Sequence, residues 1–320
     1  MTNYDVFNGD ADGICALIQL RLSKPVESQL ITGVKRDIQL LEKISAEKND
    51  HITVLDISLD KNRKALLDCL DKGAQVSWFD HHFAGEIPTA SNLKTYIDTD
   101  ANICTSLLVD QYLKGQYKAW AVTAAFGDNL KDSAIHAAKN LNLAKDQLDL
   151  LEKLGTYINY NGYGSDISEL HFSPTQLYSL LLPYANPLDF IISDTTVFKQ
   201  LESGYKEDLN HAHNIQAEFS SETAAAFILP NEPWARRVSG VFSNDLSQNN
   251  PDRAHAVLTL KANNNYLVSV RAPLSNKTGA DELCRQYPTG GGRKAAAGIN
   301  ELPAHQLDAF INSFMIHFSW

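Results

Sequence analysis

Four short segments of this 320-residue chain gather acidic and imidazole side chains: Asn8-Gly9-Asp10-Ala11-Asp12-Gly13, Asp56, Asp80-His81-His82 and Asp128-Asn129. Hard divalent cations take carboxylate oxygens, and Mn2+ accepts imidazole as well. Two such ions about 3.5–4 Å apart share a bridging carboxylate and clamp the attacking and leaving oxygens of an in-line displacement. They also make water between them more acidic, so hydroxide is available near neutral pH. Singly, each segment has a plainer reading. Asp-x-Asp-Gly is an ordinary turn or helix N-cap, and a lone aspartate ends many strands. Asp-His-His is different, because two imidazoles and a carboxylate at a strand exit serve little packing purpose. The four together point to metal chemistry.

That chemistry needs residues far apart in sequence to meet, and the surrounding pattern provides for it. Tyr4–Phe7, Ile31–Val34, His51–Asp56 and Gln75–Phe79 read as strands, interleaved with helices over Ile14–Leu22, Ile38–Lys48 and Lys61–Lys72. Such alternation predicts a parallel sheet covered by helices on both faces. The first three acidic segments each follow a predicted strand, and the fourth follows the apolar helix Ala119–Phe126. In an open α/β sheet the carboxyl ends of neighbouring strands line one crevice, where ligands bind. From Ser106 to Asp189 the pattern is mostly helical, and Thr196–Phe219 reads as a polar helix without a strong core face. After Pro230 the chain predicts strands at Val238–Phe242, Ala254–Leu260 and Tyr266–Arg271, a hairpin turn at Lys261–Asn265 and a closing helix over Ala304–Phe318. The expected fold class is α/β: a parallel-sheet catalytic domain over 1–193, a helical linker over 194–229, and a smaller mixed α/β substrate-binding domain over 230–320.

Charge narrows the partners. Net charge is −10; residues 230–320 carry nine Lys/Arg against seven Asp/Glu, and the remainder 19 against 31. An acidic chain argues against a stable complex with long DNA, which requires many neutralised phosphates. A small anionic substrate remains compatible if bound cations and local arginines receive it. No apolar run approaches the roughly 20 residues a bilayer needs, so no membrane association is expected. The N-terminus shows no basic leader, and the four scattered cysteines fit a reducing compartment. Cytoplasmic location is the expectation, and a homodimer is compatible with it.

At this point the sequence resembles the DHH phosphoesterase superfamily. Phe7–Gly13 is similar to its first motif, Val54-Leu55-Asp56 to the second, Asp80-His81-His82 to the third and Gly127-Asp128-Asn129 to the fourth. Gly290–Gly298 resembles the glycine-rich signature of the DHH-associated substrate domain, and the strand Ser269-Val270-Arg271 fits that domain too. The resemblance implies two Mn2+ ions, with Mg2+ as the alternative. Asp10 would bind one metal and Asp12 the other, Asp56 would bridge them, and His81 and Asp128 would complete the ligand set of the second metal. His82 would face the substrate phosphate, and Asp80 would hold an imidazole tautomer in place. Arg271, Gly291, Gly292 and Arg293 would grip the substrate, the glycines through backbone N–H groups backed by a following helix start. Two positions depart from the pattern. Asn8 stands where a histidine or further aspartate is common, offering a carbonyl without charge. Arg293 occupies a place commonly held by histidine.

The implied activity is hydrolysis of a short phosphodiester: a short oligonucleotide, a dinucleotide or a cyclic dinucleotide. A single-strand exonuclease resembling RecJ is the alternative within enzymes, and a catalytically weak nucleotide- or nucleic-acid-binding relative is the alternative outside them. Other residues have structural readings. His211 and His213 point to different faces of one helix, Arg236-Arg237 beside Trp234 form a surface patch, Thr105-Ser106 cap a helix, and Gly162-Tyr163-Gly164 form a loop.

Overall fold

The computed structural model describes residues 1–319 and divides into two compact units, Met1–Glu202 and a second from Ser203 onward. The first contains β1 (Asn3–Phe7), α1 (Ala11–Ser23), β2 (Gln29–Ile31), β3 (His51–Leu55), α2 (Leu59–Asp71), β4 (Gln75–Asp80) and β5 (Leu93–Ile97). Helices α3 (Thr105–Tyr112), α4 (Lys118–Gly127), α5 (Lys131–Ala138), α6 (Lys145–Asn161), α7 (Pro174–Leu181) and α8 (Pro187–Ser193) follow, and α9 (Thr195–His213) crosses the boundary. The five strands form one parallel sheet in the order β2-β1-β3-β4-β5. Val6, Ile52, Val54, Val76 and Trp78 point to one face and pack beneath Leu66, Cys69 and Leu70 of α2. Helices α1 and α3 lie against the other face. The order reverses between β1 and β3, and the crevice at such a switch point is where α/β sheets bind ligands.

In the second unit β6 (Phe219–Ser220), β7 (Ala224–Leu229), α10 (Pro233–Asn249), β8 (Ala254–Leu260), β9 (Tyr266–Arg271), α11 (Ala280–Cys284), β10 (Gly290–Arg293), β11 (Ala296–Leu302) and α12 (Leu307–His317) follow in order. The sheet runs β10-β11-β9-β8-β7-β6, with β7 and β8 parallel and the other pairs antiparallel. One face buries Leu258, Val268, Val270 and Ile299 against Phe310, Phe314 and Phe318. The other packs Leu229 and Val257 on Val238 and Phe242 of α10.

Several elements differ from the sequence reading. The helix expected over Ile38–Lys48 is only a short 3-10 turn, Leu40–Lys43. Asn62 explains it: its side chain takes the Leu41 N–H and the Ile38 carbonyl, replacing helical bonds. Val238–Phe242 is not a strand but the middle of α10, which starts on Pro233 and buries Ala235, Val238, Ser239, Phe242 and Ser243 at helical spacing. The stretch expected as a linker over 194–229 is helical only to His213 and then enters the second sheet as β6 and β7. Its helix, expected without a core face, buries Val197, Phe198, Leu201 and Ala212. The edge strand β5 carries no clear sequence signal, because Lys94 and Thr95 dilute its apolar pattern, as suits an edge. All four cysteines are free and buried. Among the described residues no helix is long and apolar enough to cross a membrane.

Candidate metal centre

Each acidic segment lands at the carboxyl end of a strand or helix. Asp10 caps α1 just beyond β1, its Oδ1 accepting the Asp12 and Gly13 N–H groups at 3.0 and 3.1 Å. This turns Asp12 inward on the first helical turn. Asp56 follows β3 with φ of 59°, a left-handed conformation that aspartate tolerates better than most residues; its N–H is held by the Phe79 carbonyl at 3.0 Å. Asp80 ends β4, and His81 and His82 leave it. Asp128 caps the C-terminus of α4.

Helix packing completes the assembly. At Gly127 an added Cβ would meet the Ala11 side chain and the Gly155 backbone, and at Gly155 it would meet the backbone of Thr123 and Gly127. Helices α4 and α6 therefore meet backbone to backbone, with the Ala11 methyl of α1 against Gly127, which delivers Asp12, Asp128 and Asn159 to one place. The start of α3 adds a clamp: the Thr105 and Ser106 N–H groups each donate to one oxygen of Asp12 at 2.7 Å. A helix N-terminus is a natural cradle for such a carboxylate. Thr105 Oγ1 also donates to Asp56 Oδ1 at 3.2 Å.

The structure brings Asp12, Asp56, His81, His82 and Asp128 together. Ligand atoms of Asp12, His81 and Asp128 lie within 4.8 Å of one another, and so do those of Asp56, His81 and His82. His81 Nδ1 donates to the Ile103 carbonyl at 2.9 Å, leaving the Nε2 lone pair 3.4 Å from Asp56 Oδ1 and 3.9 Å from Asp128 Oδ2. His82 Nδ1 donates to Asp80 Oδ1 at 2.7 Å. Asp10, Asp12, Asp56 and Asp80 are at most 2% exposed.

The charge balance fits a divalent cation. Burial, with the carboxylates of Asp12, Asp10, Asp128 and Asp80 around it, pushes Asp56 well above the usual carboxylate range. Burial likewise raises Asp128 to about 6, against the pull of Lys35. Burial also pushes Asp10 up, but the Lys35 ammonium more than offsets this and holds it below its ordinary value. For His82 burial disfavours the imidazolium, and the hydrogen bond and charge of Asp80 overcome it, so its pKa is raised. Buried carboxylates in excess, with one imidazole lone pair among them, are a donor set for a hard metal ion.

Two expected residues sit differently. Asp10 belongs to neither ligand group; its Oδ2 lies 2.6 Å from Lys35 Nζ. Asn8 turns its amide nitrogen to the Lys35 carbonyl at 3.3 Å, and its Oδ1 is buried without a hydrogen-bond partner. Sequence reasoning misses Lys35, because it follows Ile31–Val34, read as a strand, whereas β2 is Gln29–Ile31 and Gly33-Val34-Lys35-Arg36 lies beyond it; it also misses Asn159 and the Tyr163 ring that flank Lys35. Thr105 and Ser106 do begin a helix, but their backbone N–H groups serve as anion donors to Asp12, a role no local signal marks.

In the second unit the glycine-rich run is a hairpin, β10 and β11, so no helix start follows it; the small residues alternate into a pleated ribbon instead. Arg293 is paired with Ala296, and Ala296 with Arg271, so the two arginines share one cross-strand row and one face. Gly291, Gly298 and Ser269 form the next row on that face. Arg271 is braced by Asn244 Oδ1 at 2.9 Å and Ser269 Oγ at 3.0 Å. A Cβ at Gly291 would meet nothing, whereas Gly292 has φ of 141°. The result is a cross-strand row with an arginine at each end. Of the other residues considered, His213 binds Asp245 at 2.8 Å, His211 lies against Trp234, and Arg237 pairs with Asp208 rather than lying free on the surface.

No protein-family model and no curated protein sequence matches the chain. Solved structures do match in fold. An exonuclease RecJ bound to manganese aligns over 100% of this chain and 90% of its own, with TM-score 0.62 and 14% identity. RecJ from Thermus thermophilus in complex with Mn2+ gives 0.65 and 15%, covering 99% of this chain, which spans only 52% of that longer protein. A pGpG-specific phosphodiesterase, PggH, from Vibrio gives 0.56 and 13%, with 99% of both chains covered. RecJ and PggH are DHH-superfamily members, and the two-unit α/β fold of this chain is theirs.

Proposed function

We propose that this chain, carrying the DHH-superfamily fold, is a divalent-cation-dependent phosphodiesterase acting on short oligonucleotides, linear dinucleotides or cyclic dinucleotides. The observation that carries the reading is the convergence of Asp12, Asp56, His81 and Asp128, from three strand ends and a helix end, on one partly buried, over-acidic pocket. Asp12, Asp56, His81 and Asp128 would hold the ion. Mn2+ is the expected metal, as the mixed oxygen and imidazole donors accept it and the RecJ structures contain it; Mg2+ is the alternative. Bound there, a divalent cation would supply charge against the phosphoryl oxygens and make a coordinated water more acidic.

The protein's own groups do the rest. His82 is 45% exposed in its side chain, so its Nε2 can reach substrate while Nδ1 stays on Asp80. As an imidazolium it would donate to a phosphoryl oxygen as charge grows there. Thr105 and Ser106 fix Asp12, and the Ile103 carbonyl fixes the His81 tautomer. In the second unit Arg271 and Arg293 would receive phosphate or base edges of a nucleotide, Arg293 offering a permanent, forked charge. Gly291 and Gly292 would allow backbone approach. A reducing compartment such as the cytoplasm suits four free cysteines.

The test is a panel of dinucleotides, cyclic dinucleotides and oligonucleotides with Mn2+ or with EDTA, using Asp56→Asn as the blank. Mn2+-dependent product from a short substrate is the expected result; no product from any of them refutes the reading. An exonuclease of RecJ type is the second reading, favoured by higher TM-scores to RecJ than to PggH. The acidic chain weighs toward short substrates, and the rate ratio on two- and thirty-nucleotide substrates separates the two.

A further inference from the structure

The ligand groups around His81 and the surroundings of Asp10 bear on how many ions the centre takes. Both ligand groups use His81. Its Nδ1 is committed to the Ile103 carbonyl, so only Nε2 can coordinate, and one imidazole lone pair serves one metal. His81 can therefore serve only one of the two groups, and the group that gives it up keeps two of its three ligands. Asp10, the carboxylate expected to hold a separate ion, has Oδ2 on the Lys35 ammonium, a cation that repels a metal ion, whereas the oxygens of Asp12 accept only neutral backbone N–H groups.

The Lys35 ammonium sits in a built cage. It lies 2.6 Å from Asp10 Oδ2, 2.8 Å from Asn159 Oδ1 and 3.8 Å from Asp128 Oδ1, with the Tyr163 ring centroid at 5.3 Å. Its backbone is pinned on both sides, the N–H donating to Gly162 O at 2.8 Å and the carbonyl accepting from Asn8. Two acidic groups, an amide oxygen and an aromatic face are the partners an ammonium requires. A flexible surface lysine is not fixed in this way.

We propose that Lys35 stands in for one of two divalent cations, so that this centre holds one tightly bound ion beside a permanent organic cation. The ion takes Asp12, Asp56, His81 and Asp128; the ammonium neutralises Asp10 and presents a fixed positive charge to the same pocket. This rests on the metal-dependent reading above and departs from the two Mn2+ ions that the sequence resemblance implies. Lys35 thereby sets stoichiometry, and swapping it for a neutral side chain of similar length should open a second ion position at Asp10.

The experiment is Mn2+ titration of the full chain by equilibrium dialysis with elemental analysis, paired with electron paramagnetic resonance. Wild type should bind one tight Mn2+ per chain and give the six-line spectrum of an isolated ion. Lys35→Met should tighten a second ion by at least about tenfold and show spin coupling between neighbouring ions, whereas Lys35→Arg should stay at one. Two tight, coupled ions in wild type overturn the inference and leave the hydrolase reading intact. No tight ion in wild type overturns both. The wild-type count decides by itself if Lys35→Met does not fold.

Discussion

His255 should make the second unit lose stability as the solution is acidified, and the size of the loss follows from its surroundings. The side chain is 1% exposed, on β8 directly across from Arg271, and its Nδ1 has no hydrogen-bond partner. Burial, with the charge of Arg253 next, lowers its pKa to about 4 from an ordinary 6.5. The folded state therefore holds the neutral imidazole while the unfolded chain takes up a proton. The associated stability is fully present above about pH 6.5 and is lost as pH falls toward about 4. The whole shift corresponds to about 3 kcal/mol. Between about pH 7 and pH 5 the loss is about 1.8 kcal/mol, a fall in Tm of roughly 5–10 °C for a unit of this size. Chemical denaturation of wild type and His255→Asn at both pH values is the assay, and the difference between their slopes is the quantity read. Other titrating groups are common to both proteins and cancel. Equal slopes for the two proteins would refute the reasoning, whatever their absolute stabilities.

Asp128 should act in the opposite direction in metal-free protein. With its pKa raised to about 6, its contribution is present below about pH 4 and lost as pH rises through about 6. In EDTA the wild-type advantage over Asp128→Asn should therefore shrink by about 1.3 kcal/mol between about pH 5 and pH 7, as urea denaturation would report. Asp80→Asn should cost about 10–100-fold in activity by loosening His82, the histidine it orients, with little change in melting temperature; steady-state kinetics and a thermal melt check both. Arg293→Ala should raise KM about tenfold or more through loss of a charged hydrogen bond while kcat changes little, measured on the best substrate of the panel.

The strand ends are the most legible part of this protein. Asp10, Asp56 and Asp80 each follow a β-branched or aromatic run, and only a parallel sheet brings such positions together. What the sequence hides depends on long-range partners. Lys35 acquires its meaning from Asn159, 124 positions away, and nothing local marks it. Thr105 and Ser106 are ordinary helix-start residues until Asp12 is seen between their N–H groups. Val238–Phe242 is short and apolar, a pattern that strand and helix share; Pro233 is the local cue that decides for helix. The glycine-rich run is legible as a backbone approach site but not as a hairpin, because glycine fits a loop, a helix start and a bulged strand alike.

The junction of α1, α4 and α6 has a consequence for how tolerance to mutation will be distributed along the chain. Gly127 and Gly155 leave no volume for even a methyl group, and what they press against, the Ala11 methyl and the facing helix backbones, leads straight to Asp12, Asp128 and Asn159. Overpacking at such a point costs about 1–3 kcal/mol and moves backbone rather than a side chain. A saturation library screened for turnover will thus mark these two glycines as severely as the carboxylates themselves. Two positions that touch neither metal nor nucleotide will carry the signature of catalysis, because they set the distance between the groups that do.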